Sequence, residues 1–167
     1  DAVAASVDRY GPDVIVHSMI LNDHDLMYAD RRLAWASYVG TTEVLSDAAN
    51  RVGATLILVS TDWVFDGTQG PAAEDTPPNP VNLYGVLKLV SEQAALRAER
   101  GAVARVSAVQ GQHLARPTTV RQQDRGFGYL AASIVDALSE GRPFAVWEAD
   151  DINNVATPSL ASEAGRL

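Results

Sequence analysis

Val44-Leu-Ser-Asp-Ala-Ala-Asn-Arg-Val-Gly-Ala-Thr-Leu-Ile-Leu-Val59 changes its period in the middle. Up to Val52 the apolar residues recur at helical spacing, closing a stripe that begins near Asp30 and runs through Leu33, Ala34, Val39, Leu45, Ala48 and Ala49. Gly53 supplies the left-handed cap that ends such a helix. Thr55 to Val59 is then an unbroken apolar run, as expected of a strand covered on both faces of a parallel sheet. Toward the N-terminus a helix over Ala2 to Tyr10 stops at Gly11-Pro12, and Val14-Ile15-Val16 repeats the short apolar strand before a polar loop, Asn22 to Asp25. Toward the C-terminus, Pro71, Pro77, Pro78 and Pro80 keep a long surface loop out of helix or central strand, and its Asp66-Gly67 turn argues for order. A helix from about Leu83 to Arg100, ended by Gly101, leads to a third strand at Ala102 to Val106.

This helix–strand repetition predicts an α/β fold, a doubly wound parallel sheet of the Rossmann type with right-handed crossovers. Such sheets bind ligands at the carboxyl ends of their strands. Three ends are candidates: His17-Ser18, Ser60-Thr61-Asp62 and Ser107. After Gln112 the pattern loosens into a loop carrying Arg116, Arg121 and Arg125. A helix near Phe127 to Leu138, a strand at Phe144 to Trp147 and a last helix after Pro158 follow it. The division expected is 1–111 for the dinucleotide-binding part and 112–167 for part of a smaller substrate lobe.

The chain has 167 residues with 21 acidic and 13 basic side chains, a net charge of -8, which would repel a phosphate backbone. Nucleic acid is therefore not the expected partner. No apolar run approaches the ~18 residues of a membrane span, so no membrane partner is expected either. The absence of cysteine fits a reducing cytoplasm and excludes thiolate chemistry. Because the first residue is Asp1, the chain reads as an internal piece of something longer.

Tyr84 and Lys88 lie one helical turn apart and project from one face. Lys88 is the only lysine among the 13 basic residues; the rest are arginine. Where arginine is a permanently charged fork, lysine is a compact ammonium that can hold a ribose diol beside a phenol. A phenol titrating near ~10 is a poor acid–base catalyst at neutral pH, and a neighbouring ammonium is expected to draw it down. Thr61 closes the preceding strand, with a hydroxyl free to orient a substrate oxygen.

Val59-Ser-Thr-Asp-Trp-Val-Phe-Asp-Gly67, Glu74-Asp75, Pro77-Pro78-Asn79-Pro80 and Leu83-Tyr-Gly-Val-Leu-Lys-Leu89 with Glu92 resemble the dTDP-4-dehydrorhamnose reductase-like branch of the extended short-chain dehydrogenases. Weaker likeness runs from Pro12-Asp13-Val14 to Thr157-Pro158-Ser159-Leu160. The resemblance implies a catalytic Thr61, Tyr84 and Lys88; a cofactor, NADPH or NADH, at Ser60, Tyr84, Lys88, His17 and Ser18; and a nucleoside-diphosphate 4-keto-6-deoxy sugar at Thr61, Asp62 and Arg125. The family's dehydratases carry Asp-Glu after the threonine, and Asp62-Trp63 here counts against dehydration.

The sequence departs from the family pattern at three places. The family's glycine-rich strand–loop–helix is absent, and Gly126-Phe-Gly-Tyr-Leu-Ala131 follows no strand, so it reads as a helix start. The missing strand would sit beside Val14-Ile15-Val16 and leave an apolar edge unpaired. His17 and Tyr38 stand where the family has asparagines. These two substitutions motivate an alternative, a non-catalytic dinucleotide-fold subunit similar to the regulatory subunit of methionine adenosyltransferase. A homodimer is compatible with either reading.

His17, Asp23, His24 and Asp25 form no metal-ligand spacing, and no metal is expected. Trp35, Trp63 and Trp147 are expected to pack in the core or the lobe.

Overall fold

The computed structural model describes residues 2–21, 23–68, 70–107, 109, 130–145 and 159–166. The elements are α1 (Ala2–Tyr10), β1 (Val14–His17), α2 (His24–Ala29), α3 (Arg31–Trp35), a π-helical turn (Ala36–Gly40), α4 (Thr41–Val52), β2 (Thr55–Thr61), a 3-10 turn (Asp62–Val64), α5 (Leu83–Ala95), β3 (Gly101–Val106), α6 (Leu130–Ser139) and α7 (Ala161–Ala164). They fall into two compact units, Asp1–Val106 and Ser107–Leu167.

In the first unit the sheet order is β1-β2-β3 and both pairings are parallel, with Ile15 opposite Leu56 and Ser60 opposite Arg105. Strand residues alternate faces, so Ile15, Leu56 and Leu58 enter one core with Val7, Leu45, Ala48, Ala49, Ala54, Ala95 and Ala98. The alanines on α4 and α5 let these helices lie close to β2. A second core, Met27, Ala34, Tyr38, Val39 and Leu87, joins α2, α3, the π-helical turn and α5. Tyr84 packs against it.

Several expectations needed correction. β1 is not covered on both faces: Val14 and Val16 are 51% and 62% exposed, because the helices of the described residues cover only the Ile15 side. The loop over Asn22 to Asp25 gives way to α2, whose N-cap Asp23 accepts a bond from Leu26 N at 2.8 Å. The single helix predicted over Asp30 to Val52 runs unbroken from Arg31 to Val52, but over Ala36–Gly40 it widens into a π-helical turn, where Thr41 Oγ1 donates to Ala36 O at 3.2 Å. Helix α5 stops at Ala95, not Arg100, and Gly101 opens β3 instead of capping the helix. A Cβ there would come within 2.3 Å of Ala95 O, so only glycine fits. Trp35 is 49% exposed on the outer side of α3, not in a core.

In the second unit, α6 and α7 lie within or beside the predicted helices, while Phe144 and Ala145 belong to no strand. Arg116, Arg121, Arg125, residues 126–129 and Trp147 lie outside the described residues, and the last two residues of the Gly126 segment, Leu130 and Ala131, open α6. Among the described residues no helix is long and apolar enough to cross a membrane.

Asn82 caps α5, its Oδ1 accepting from Gly85 N at 2.8 Å. Removing such a cap costs about 1 kcal/mol. Asn82→Ala is expected to lower the unfolding free energy by that amount, seen as a lower denaturant midpoint with the slope of the transition unchanged.

Candidate functional site

Backbone direction places the first element of the site. In a parallel strand, successive residues send their N–H and C=O groups alternately to the two neighbours. Leu56 N bonds Arg100 O, toward β3, and Thr55 N bonds Asp13 O, toward β1, each at 2.9 Å. Val59 therefore turns its carbonyl toward β1, yet β1 ends at His17, opposite Leu58. Lys88 Nζ takes that open carbonyl at 2.6 Å. The lone lysine is only 2% exposed. Burial lowers its pKa to about 8, a fall that the Glu92 carboxylate one turn along α5 opposes.

Thr61 is the last residue of β2 and Tyr84 lies in the first turn of α5. The Thr61 hydroxyl is a close enough neighbour to act on the Tyr84 phenol. Thr61 Oγ1 also donates to Asp62 Oδ1 at 3.1 Å and accepts from Trp63 N at 3.2 Å, which fixes its rotamer. The Tyr84 ring lies between Tyr38 and Trp63, edge-to-face with both, at centroid distances of 5.9 and 5.7 Å. The close approach depends on Gly85: a Cβ there would lie 2.2 Å from Trp63 O.

The Tyr84 phenol is shifted opposite to the sequence expectation. Burial pushes it above the usual phenol range, the Thr61 hydroxyl pulls it back, and the Asp62 carboxylate pushes it further up. The Lys88 ammonium does not reverse this, since it is directed at Val59 O. Tyr84 is thus a protonated hydroxyl at neutral pH, a donor and not a phenolate.

His17 ends β1 and is buried. Its Nε2 lies 3.1 Å from Thr42 Oγ1, and Thr42 Oγ1 lies 2.7 Å from Tyr38 O, which can only accept. The single Thr42 proton goes to Tyr38 O, so His17 Nε2 must carry a proton and donate, leaving Nδ1 as a lone pair. Burial, and secondarily the Lys88 charge, lower the His17 pKa to about 4. An unfolded histidine, titrating at 6.5, binds a proton that the folded one refuses, so this stability is complete above pH 6.5 and is lost on the way down to pH 4. The expected loss between pH 7 and pH 5 is about 2 kcal/mol. Chemical denaturation at the two pH values would detect it, and His17→Asn should flatten the dependence by that amount.

Ser60 is buried and donates through Oγ to Glu92 Oε1 at 2.5 Å. Ser18 is exposed just beyond β1, and Asp62 is half-buried in the 3-10 turn. The structure thus brings Thr61, Asp62, Tyr84, Lys88, Ser60 and His17 to one end of the sheet. Among the described residues no group of three or more His, Asp or Glu could hold a metal. Sequence reading missed Gly85, Thr42 and Arg105. Gly85 alone carried a signal, since a glycine inside a helix costs about 1 kcal/mol and calls for a steric reason.

A parallel sheet with polar side chains at its strand ends defines an α/β protein of the Rossmann-like class. The model of the RmlD substrate binding domain matches residues 1–123, and the chain belongs to that family. It is 42% identical over 111 residues to the methionine adenosyltransferase 2 subunit beta of Xenopus tropicalis, covering 66% of this chain and 33% of that protein. It is 38% identical over 103 residues to the dTDP-4-dehydrorhamnose reductase of Escherichia coli, covering 60% of this chain and 34% of the reductase. The chain thus spans about a third of these relatives (33% and 34%). The dTDP-4-dehydrorhamnose reductase of Bacillus anthracis in complex with NADP superposes with a TM-score of 0.67 at 25% identity, covering 84% of this chain and 46% of that one. MoeE5 in complex with UDP-glucose and NAD shares the fold, with a TM-score of 0.74 at 20% identity, over 98% of this chain and 52% of its own.

Proposed function

We propose that the intact protein reduces the 4-keto group of a nucleoside-diphosphate 4-keto-6-deoxy sugar with NADPH or NADH. The observation that carries this reading is the convergence of the strand-end Thr61, the Tyr84 ring held against Trp63, and the buried Lys88 ammonium one turn along α5 and bound to Val59 O. Residues 1–111 hold this machinery, and 112–167, with Arg125, belong to the sugar side.

The donor set suits a nicotinamide dinucleotide. Lys88 Nζ gives one proton to Val59 O and keeps two for a ribose diol, while His17 Nδ1 offers a lone pair at the neighbouring strand end. When bound, the cofactor supplies the hydride. Thr61, on giving up its bond to Asp62, orients the substrate carbonyl oxygen, and Tyr84, protonated at neutral pH, delivers its proton there. Lys88 holds the ribose with its charged ammonium. Because Lys88 loses its charge around pH 8, activity should fall as pH rises through that value.

The kinship to methionine adenosyltransferase 2 subunit beta supports a second reading, a dinucleotide-binding regulatory subunit without turnover. Following NAD(P)H oxidation by the intact protein with a panel of 4-keto sugar nucleotides separates the two. Turnover supports the reductase. Cofactor binding without consumption, together with co-purification with an adenosyltransferase, supports the subunit.

A further inference from the structure

We propose that Glu92 is a positioning residue, held by Arg105, that fixes the Thr61 end of β2 against the Tyr84–Lys88 face of α5 and keeps a counter-charge beside the Lys88 ammonium. The inference rests on the reductase reading for its kinetic consequence, but not for its geometry.

Glu92 is 2% exposed, an uncommon place for a carboxylate unless every oxygen is satisfied. Here each is. Ser60 Oγ donates to Oε1 at 2.5 Å, Arg105 Nε to Oε1 at 3.0 Å and Arg105 Nη2 to Oε2 at 2.7 Å. The sheet register explains the convergence. Ser60 and Arg105 are direct partners across β2 and β3 and turn to the same face, the one that α5 covers, so a carboxylate on α5 meets both. The Arg105 guanidinium also lies 5.2 Å from the centre of the Phe65 ring, just past the 3-10 turn that follows Thr61. One carboxylate therefore ties together the residue before Thr61, the segment after it, and the helix bearing Tyr84 and Lys88.

Tyr84, Lys88 and Glu92 succeed one another at four-residue intervals on α5. The charged group acting on Lys88 is Glu92 along the same helix; from β1 the titratable His17 faces it and is neutral at pH 7. Glu92 favours the ammonium, and the bidentate Arg105 fork holds the Glu92 carboxylate in place. A bridge serving only to hold the fold would have no such effect on Lys88.

The test follows the ionisation of Lys88 directly in the intact protein. With lysine labelled at Cε, the Lys88 resonance is the one lost in Lys88→Arg. Its titration midpoint is expected to drop by about one pH unit in Glu92→Gln, and the alkaline limb of the rate profile should move with it, with KM nearly unchanged. Arg105 is 26% exposed and can turn to water when the carboxylate goes, so the fold should persist. If Glu92→Gln does not fold, Glu92→Asp, which withdraws the charge by one methylene, should shift Lys88 in the same direction by less. An unmoved Lys88 titration in the folded variant overturns the proposal. A shifted Lys88 in a protein that turns over no 4-keto sugar nucleotide leaves the positioning role standing and removes the reductase reading instead.

Discussion

Replacing Tyr84 with phenylalanine is expected to lower carbonyl reduction by roughly a hundred- to ten-thousand-fold, the range seen when a positioned general acid is lost. The substitution isolates the hydroxyl. Phenylalanine keeps the ring that stands edge-to-face with Tyr38 and Trp63 at 5.9 and 5.7 Å, and the second core loses no apolar surface. What disappears is the hydroxyl beside Thr61 and the proton itself. NADPH affinity should change little, because Lys88, held to Val59 O at 2.6 Å, does not depend on the phenol for its position. Turnover that survives the substitution would mean that another group protonates the oxygen.

Gly85→Ala is expected to be the most destabilising single change in the first unit, at about 4 kcal/mol, well above the usual cost of overpacking. Elsewhere in a helix the same change is favourable by about 1 kcal/mol, because alanine is the better helix former. Here the added methyl would sit 2.2 Å from Trp63 O and 3.0 Å from Pro80 Cβ. The carbonyl is backbone and cannot swing aside, so α5 must move away from the 3-10 turn. That movement also separates Tyr84 from Thr61. Urea unfolding should show the lost stability, and any folded fraction should reduce substrate more slowly than wild type. A variant as stable as wild type would show that α5 and the Thr61 turn are not held as closely as described.

Much of the architecture could be read in advance where a local period carried the information. The stripe ending at Gly53 and the apolar run after it placed α4 and β2, and the Tyr84–Lys88 spacing placed two functional side chains on one helical face. The reading failed where a local pattern met a distant constraint. The π-helical turn has no period of its own, and its effect, bringing Tyr38 against Tyr84, depends on residues far along the chain. Gly101 looked like a helix cap because glycine usually is one; the Ala95 carbonyl gave it another task. The direction of the Tyr84 shift was missed because spacing predicts which charges are near but not how deeply a phenol is buried.

By itself the sequence determined the alternation of helices and strands, the one-turn spacing of Tyr84 and Lys88, and the polar residues at strand ends, since each follows from interactions within a few residues. Only the tertiary structure decided that Thr61 meets Tyr84, that Lys88 takes the carbonyl β1 leaves open, and that Ser60, Glu92 and Arg105 share one buried ion pair. Those contacts depend on strand register and helix approach, and residues 29 and 32 positions apart carry no periodic trace of meeting.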